Sequence, residues 1–141
     1  MKKKFAVLFT TLIAAAFLLC GMPRFAEAGP LSFTVTDSEA GDVHGGKQDI
    51  IFWFTVKNIS HVEYIRRVNS VTVEVTGWSR GHRETYQRDV DIDWTFDPSL
   101  RPGASKKLRT RFSRRINPDR GWYRYDRVRV RVLRYNFRRA S

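Results

Sequence analysis

Apolar and polar residues alternate along much of the chain after residue 30, and this alternation predicts β-strands. The clearest case is Tyr123–Arg139, in which three valines alternate with three arginines, namely Val128, Val130, Val132 and Arg127, Arg129, Arg131. A strand of this kind buries the valines on one face and presents the guanidinium groups on the other, about 7 Å apart. Each of those charges has to be hydrated, paired with a carboxylate or neutralised by a partner.

Five further strands are predicted upstream of this segment, at residues 31–36, 49–57, 71–76, 84–96 and 107–114. Asp49–Lys57 is apolar on both faces, which is typical of a central strand covered on each side. Asp37–Gln48 contains three glycines and three acidic residues without an apolar period, and is predicted to be a loop. Asn58–Val68 is predicted to be a connection with one short strand around Tyr64.

Turn residues separate the later strands, at 79–82, 98–105 and 117–121. No helical periodicity is present after residue 28. About six to seven strands with such turns predict an all-β fold, an antiparallel β-sandwich of immunoglobulin-like type. A small barrel is the alternative.

The N-terminus has the pattern of an export signal. Three lysines precede an apolar run of residues 5–19, and Ala26-Glu27-Ala28 places small residues where a signal peptidase reads. We therefore expect residues 1–28 to be a cleaved signal peptide and residues 29–141 to be one secreted or periplasmic domain. The alternative is a retained membrane anchor, although the apolar run is shorter than the roughly 20 residues that span a bilayer.

Charge is divided unevenly between the two halves of the predicted domain. Residues 29–100 contain 7 basic and 11 acidic residues, whereas residues 101–141 contain 15 basic and 2 acidic residues. Residues 29–141 contain 18 arginines and 4 lysines, and arginine is favoured where carboxylate or phosphate is bound bidentately. Cys20 is the only cysteine and lies in the predicted signal, so a disulfide framework is excluded from the domain.

Three short motifs resemble a known family. Phe54–Ser60 reads FTVKNIS, Gly77-Trp78 ends a valine-alternating strand before a polar hairpin, and Leu100–Gly103 reads LRPG. Together they resemble small bacterial exported immunoglobulin-like domains of the FxLYD type, over most of residues 31–137. The chain has no FxLYD sequence as such. The resemblance implies a non-catalytic module of the cell envelope, and no site residue is carried over from it.

The turn at Pro102-Gly103 predicts a hairpin between residues 84–96 and 107–114. In that register Asp93 lies opposite Arg109 and Asp91 lies opposite Arg111, which forms a cross-strand ladder of opposite charges. A calcium site at Asp89, Asp91 and Asp93 is the alternative interpretation, but a strand does not wrap around an ion. If the ladder forms, Arg127, Arg129 and Arg131 remain as the unpaired positive surface.

The apolar phase changes after Val132, since Leu133, Tyr135 and Phe137 are apolar there. A bulge near Leu133 would keep Arg134 on the same face as the preceding arginines, and the alternative is that the apolar side switches face.

If each strand crosses the sandwich once, the loops at residues 37–48, 78–83 and 114–122 all fall at the same end. That end is predicted to collect basic and aromatic residues, of which the candidate binding residues are Trp78, Arg114, Arg115, Arg120 and Trp122. Aromatic rings beside arginines bind sugars or anionic polymers through stacking and charge-assisted hydrogen bonds. The alternative is that both tryptophans fold inward and cap the core.

Catalytic signatures are absent from the sequence. There is no nucleophile elbow, no phosphate-binding glycine loop and no metal-ligand spacing among the three histidines. We therefore predict a non-enzymatic protein without cofactor or metal.

The leading hypothesis is an exported binding module whose basic face engages an anionic envelope polymer or an acidic protein. Nucleic acid is a secondary target on charge alone. One alternative is a structural protein that self-associates by strand edges, for example as a homodimer, and another is a secreted inhibitor of a hydrolase.

Overall fold

The computed structural model describes residues 29–141, and the predicted signal peptide lies outside the described residues. Six strands make up this part of the chain, and no α-helix occurs in it. The strands are β1 (Leu31–His44), β2 (Lys47–Asn58), β3 (Ile65–Ser79), β4 (His82–Leu100), β5 (Ser105–Arg115) and β6 (Arg127–Arg139). One turn of 3₁₀ helix, Pro118–Arg120, precedes β6. Nowhere between residues 29 and 141 is a helix long and apolar enough to cross a bilayer.

The strands form two antiparallel sheets of three strands each, with the orders β1-β2-β5 and β4-β3-β6. The predicted all-β, antiparallel architecture is therefore confirmed. Alternate residues of the central strands β2 and β3 fill the core between the sheets, and their largest buried side chains include Phe52 and Phe54. The outer face of β2 is less covered than predicted, because Ile51 and Trp53 on that face remain partly exposed.

The first hairpin is longer than expected. The segment predicted to be a loop, residues 37–48, is mostly strand, because β1 continues to His44 and turns at Gly45-Gly46. Register shifts after Val35 and after Ala40 interrupt the pairing with β2. These bulges break the period-two pattern, which is why the sequence reads as a loop there. No separate strand forms around Tyr64, and β3 begins at Ile65.

The predicted hairpin between β4 and β5 is wrong. Residues 101–104 carry the chain from one sheet to the other, so β4 pairs with β3 and β5 pairs with β2. Arg109 lies opposite Trp53 and Arg111 opposite Ile51, not opposite aspartates. The expected charge ladder is therefore not formed within the chain.

The two sides of the sandwich differ. On one side, which we call the closed side, the edges β1 and β6 approach each other: the Val130 N–H donates to Ser38 Oγ at 3.2 Å, and the Leu31 N–H donates to the Tyr135 hydroxyl at 3.0 Å. The Tyr135 ring also packs 5.0 Å from that of Phe33. On the other side, which we call the open side, the edges β4 and β5 face each other without backbone pairing.

The bulge predicted in the last strand is present. Thr72 pairs with Arg134 and Val73 with Val132, so Leu133 is the extra residue in β6. Arg134 consequently stays on the outer face with Arg131 and its predecessors.

Candidate functional site: an arginine groove on the closed side

The outer face of β6 places its arginines beside a tryptophan of β3. Arg127 is paired with Trp78 in the register, and its Cζ lies 4.0 Å from the centroid of the indole ring. The Arg129 Cζ lies 5.9 Å from the same ring. Trp78 is therefore on the outer surface and does not cap the core, which corrects the inward interpretation. A guanidinium that stacks on a ring keeps its N–H edge free for a second partner.

The next two arginines on this face have different surroundings. Arg131 Nε donates to Glu74 Oε1 at 3.0 Å, and its Nη2 donates to Glu74 Oε2 at 3.3 Å, so its predicted unpaired state is wrong. Arg134 is exposed and pairs across the strands with Thr72. Along the whole of β6 there are six arginines and no acidic residue, and in the described part of the chain only two of the six form ion pairs, those of Arg131 with Glu74 and of Arg139 with Glu63.

These side chains line a surface depression between β1 and β6, which we call the arginine groove. One part of it, of about 470 Å³, is bounded by Asp37, Trp78, Arg127 and Arg129. A second part, of about 570 Å³, continues past Arg129 to Arg131 and Glu74. Both parts share Val35, Arg129 and Val130 as lining residues. The groove therefore runs along the strand direction and combines guanidinium groups, an indole ring and carboxylates.

The convergence of the three turns at one end is confirmed. Ile116 N–H donates to the carbonyl oxygen of Gly46, and Asp126 N–H donates to that of Trp78, so the β1–β2, β3–β4 and β5–β6 connections lie together. Trp122 is 40% exposed there, and the Arg120 guanidinium lies 5.5 Å from its ring. The alternative interpretation, in which Trp122 folds inward, is therefore also wrong.

Arg114 is not available for a ligand. Its side chain is only 10% exposed, and its Cζ lies 3.7 Å from the centre of the Tyr125 ring. Its guanidinium donates to the Tyr123 carbonyl oxygen at 2.7 Å and to Glu84 at 3.3 Å. The neighbouring Arg115 is exposed and pairs across the strands with Lys47. Arg114 therefore anchors the end of the sandwich.

Sequence reasoning missed the polar network that supports this end. The buried Gln48 side chain donates to the carbonyl oxygen of Tyr125 at 3.0 Å and accepts from its N–H at 2.8 Å. The Tyr125 hydroxyl donates to Glu84, and burial together with that carboxylate raises the pKa of Tyr125. The ring of Tyr125 lies directly over Gly77. The one signal in the sequence was a polar Gln48 two residues before the apolar run of β2, which begins at Ile50.

A pocket of about 300 Å³ adjoins this network and is lined by residues that include His82, Arg83 and Tyr123. The Glu84 carboxylate at this pocket is already engaged, since it accepts from the Tyr125 hydroxyl and from Arg114. We therefore regard the arginine groove, and not this pocket, as the candidate binding site.

Two aspartates of β4 have side-chain partners on β3. Asp89 accepts a hydrogen bond from Thr72 Oγ1 at 2.6 Å, and Asp93 forms an ion pair with Arg67 at 2.9 Å. No group of three His, Cys, Asp or Glu side chains among residues 29–141 is arranged to hold a metal ion.

No protein-family profile, curated protein or solved structure matches this chain.

Proposed function

We propose that this protein is an exported, non-catalytic binding module whose arginine groove holds an acidic glycan of the cell envelope. The observation that carries the proposal is the stack of Arg127 on Trp78 at 4.0 Å inside a groove that continues to Arg129 and Arg131. Because the stack orients the guanidinium before a ligand arrives, less side-chain entropy is lost on binding.

The shape and composition of the groove favour an extended sugar polymer. Alternate residues of β6 are spaced about 7 Å apart, so successive acidic groups of a polymer can meet successive arginines. Asp37 lies at the rim, and its carboxylate can accept hydrogen bonds from sugar hydroxyls. A purely phosphate-binding surface has no use for a carboxylate at this position, so lipid headgroups and nucleic acid fit less well.

The strand order supports an immunoglobulin-like assignment. Strands one, two and five lie in one sheet, while strands three and six are neighbours in the other, as strands A, B, E and C, F are in immunoglobulin domains. Export is supported by the basic and apolar pattern of residues 1–28. Both assignments remain part of the proposal.

Binding of polygalacturonate to the purified protein, followed by Trp fluorescence, tests the proposal. We expect affinity to fall steeply as NaCl rises from about 0.05 to 0.5 M, because the contacts are charge-assisted and exposed. Replacing Arg127, Arg129 and Arg131 together by Gln should weaken binding about tenfold or more at the lower salt concentration.

A matched variant with Lys57→Gln, Arg66→Gln and Arg101→Gln loses the same charge from exposed positions outside the groove. It should bind almost as the wild type does. Equal weakening by both triple variants would show that net charge, not the groove, is responsible. Stronger binding to polyphosphate or to phosphatidylglycerol vesicles than to the glycan would reassign the ligand, and affinity that does not change with salt would overturn the proposal.

A further inference from the structure

The two strand edges on the open side carry opposite charges. β4 contains five acidic and two basic residues, whereas β5 contains six basic residues and no acidic one. Within the described chain each strand pairs on one side only, β4 with β3 and β5 with β2. Each therefore has a row of backbone N–H and C=O groups without a strand partner, which is a template for pairing with another chain.

Two contacts between β4 and β5 show which of their residues lie at the same height along the strand direction. We call such residues level. The Arg88 guanidinium lies 5.0 Å from the Phe112 ring, and Lys106 Nζ lies 5.8 Å from the Trp94 ring. Because β4 and β5 run in opposite directions, counting from the Arg88–Phe112 contact makes Asp89 level with Arg111 and Asp91 level with Arg109. Both pairs lie before the bulge of β4 at Ile92-Asp93, so the count is not interrupted. All four point outward, because their neighbours Val90, Thr110 and Phe112 point towards the core.

A twofold axis parallel to the strands exchanges the two sheets without moving any residue along the strand direction. If two open sides face each other across such an axis, β4 of one copy lies beside β5 of the other, and the two run antiparallel. Residues that are level within one copy then become cross-strand partners between copies. The level pairs are acid with base, so the symmetry that closes the dimer also matches the charges.

We propose that the protein forms a twofold dimer through its open side, in which β4 of each copy pairs antiparallel with β5 of the other. The partners are Asp89 with Arg111 and Asp91 with Arg109, and each pair occurs twice. Two continuous six-stranded sheets result, in the order β1-β2-β5 followed by β4-β3-β6 of the second copy. Because β1 and β6 lie on the far side, the two arginine grooves are at opposite ends of the dimer and remain accessible.

Charge reversal in two separate chains tests the pairing. Asp89→Arg with Asp91→Arg makes both edges basic, and Arg109→Asp with Arg111→Asp makes both edges acidic. Each variant alone should lose the dimer and elute as a monomer in size-exclusion chromatography with light scattering. An equimolar mixture should recover a dimer of one copy of each, because both of its interfaces again pair acid with base. The wild type should have twice the mass of one chain.

Circular dichroism melts show whether each reversed chain is folded. If one is not, Asp89→Asn with Asp91→Asn replaces it, and is expected to raise the dimer dissociation constant about tenfold, since four pairs are weakened. The control is Arg127→Gln with Arg129→Gln, which should leave the dimer intact. A monomeric wild type, a mass above two copies, a dimer of either reversed variant alone, or a mixture that stays monomeric would overturn the proposal. None of these outcomes bears on glycan binding by the groove.

Discussion

The closed side and the open side of the sandwich both end in strands that carry alternating arginines, β6 and β5 respectively, but the surroundings of those arginines differ. On the closed side Arg127 and Arg129 lie at the Trp78 ring. The backbone N–H groups of Val130 and Leu31 donate hydrogen bonds between the edges β6 and β1. On the open side Arg109 lies 5.7 Å from the Trp53 ring and Arg111 lies 3.7 Å from Asp49, but the other edge of their strand has no strand partner in the described chain. The same pattern therefore produces a side-chain groove in one place and an edge for strand pairing in the other.

The largest expected effect is that of truncating Tyr135 on the closed side, and the matching truncation on the open side is that of Trp94. Tyr135→Ala removes a ring packed against Phe33 and Phe137 and leaves the Leu31 N–H without its acceptor. We expect a loss of about 2 to 4 kcal/mol in the free energy of unfolding. Trp94→Ala, at a residue 40% exposed on the open side, should cost less, about 1 to 2 kcal/mol, in a monomeric background. Urea denaturation measures both, and equal losses would contradict the distinction between the sides.

A substitution at Gly77 tests the packing at the end of the sandwich where the three connections lie together. A Cβ built at this position would lie 2.3 Å from the Tyr125 ring. Gln48 holds the backbone of Tyr125 and Glu84 accepts from its hydroxyl, so the ring has little freedom to move aside. Gly77→Ala should reduce the free energy of unfolding by about 1 to 3 kcal/mol. Gly41→Ala is the control, because its nearest contact would be 3.1 Å, to the Asp49 carbonyl oxygen. Thermal melts should show the larger shift for Gly77→Ala.

The ion pair on the closed side should contribute little to stability. The Arg131 and Glu74 side chains are 56% and 29% exposed, so solvent screens their attraction. A double-mutant cycle with Arg131→Gln and Glu74→Gln should give a coupling of about 0.2 to 1 kcal/mol in urea denaturation. Glu74→Gln should also release the arginine and strengthen glycan binding slightly. A coupling well above this range would mean that the pair holds the closed side together.

The smallest effect concerns a carboxylate beside the open edge. The Ser113 hydroxyl, and after it His44, donate to Asp49 and lower the pKa of its carboxyl, with a further contribution from Arg111 at 3.7 Å. Because the folded-state pKa is lowered, this contribution to stability is present at neutral pH and is lost as pH falls through the folded-state pKa. Ser113→Ala should raise the pKa of Asp49, as followed by carboxyl NMR titration. His44→Ala should raise it less, and an unchanged pKa in Ser113→Ala would contradict the assignment.

Much of the fold could be predicted from the sequence because the alternation of β3, β5 and β6 is local. The bulge at Leu133 could be predicted as well, since a phase change in the apolar pattern has few structural explanations. The partner of β4 could not be predicted. A four-residue turn between two strands of opposite charge is compatible with a hairpin and also with a crossing between sheets, and nothing local distinguishes the two.

The candidate site could likewise be predicted only in part. The arginines of β6 and Trp78 were each identified from sequence, but as two separate surfaces. Arg114 was included among the binding residues although Tyr125 and Glu84 hold it in place. Partners so distant in the chain are brought together only by sheet packing, and a one-dimensional pattern does not contain that information.

Outside the bulged first hairpin, the sequence by itself determined where most strands lie and which face of β3, β5 and β6 is apolar, because both follow from a repeat of two residues. The tertiary structure decided which strands share a sheet, and so which charges meet. Arg127 and Arg129 stack beside Trp78 because β6 pairs with β3, and Arg109 and Arg111 miss the aspartates of β4 because β5 pairs with β2. The difference arises because burial sets each face locally, whereas sheet order depends on how the whole apolar surface is best covered.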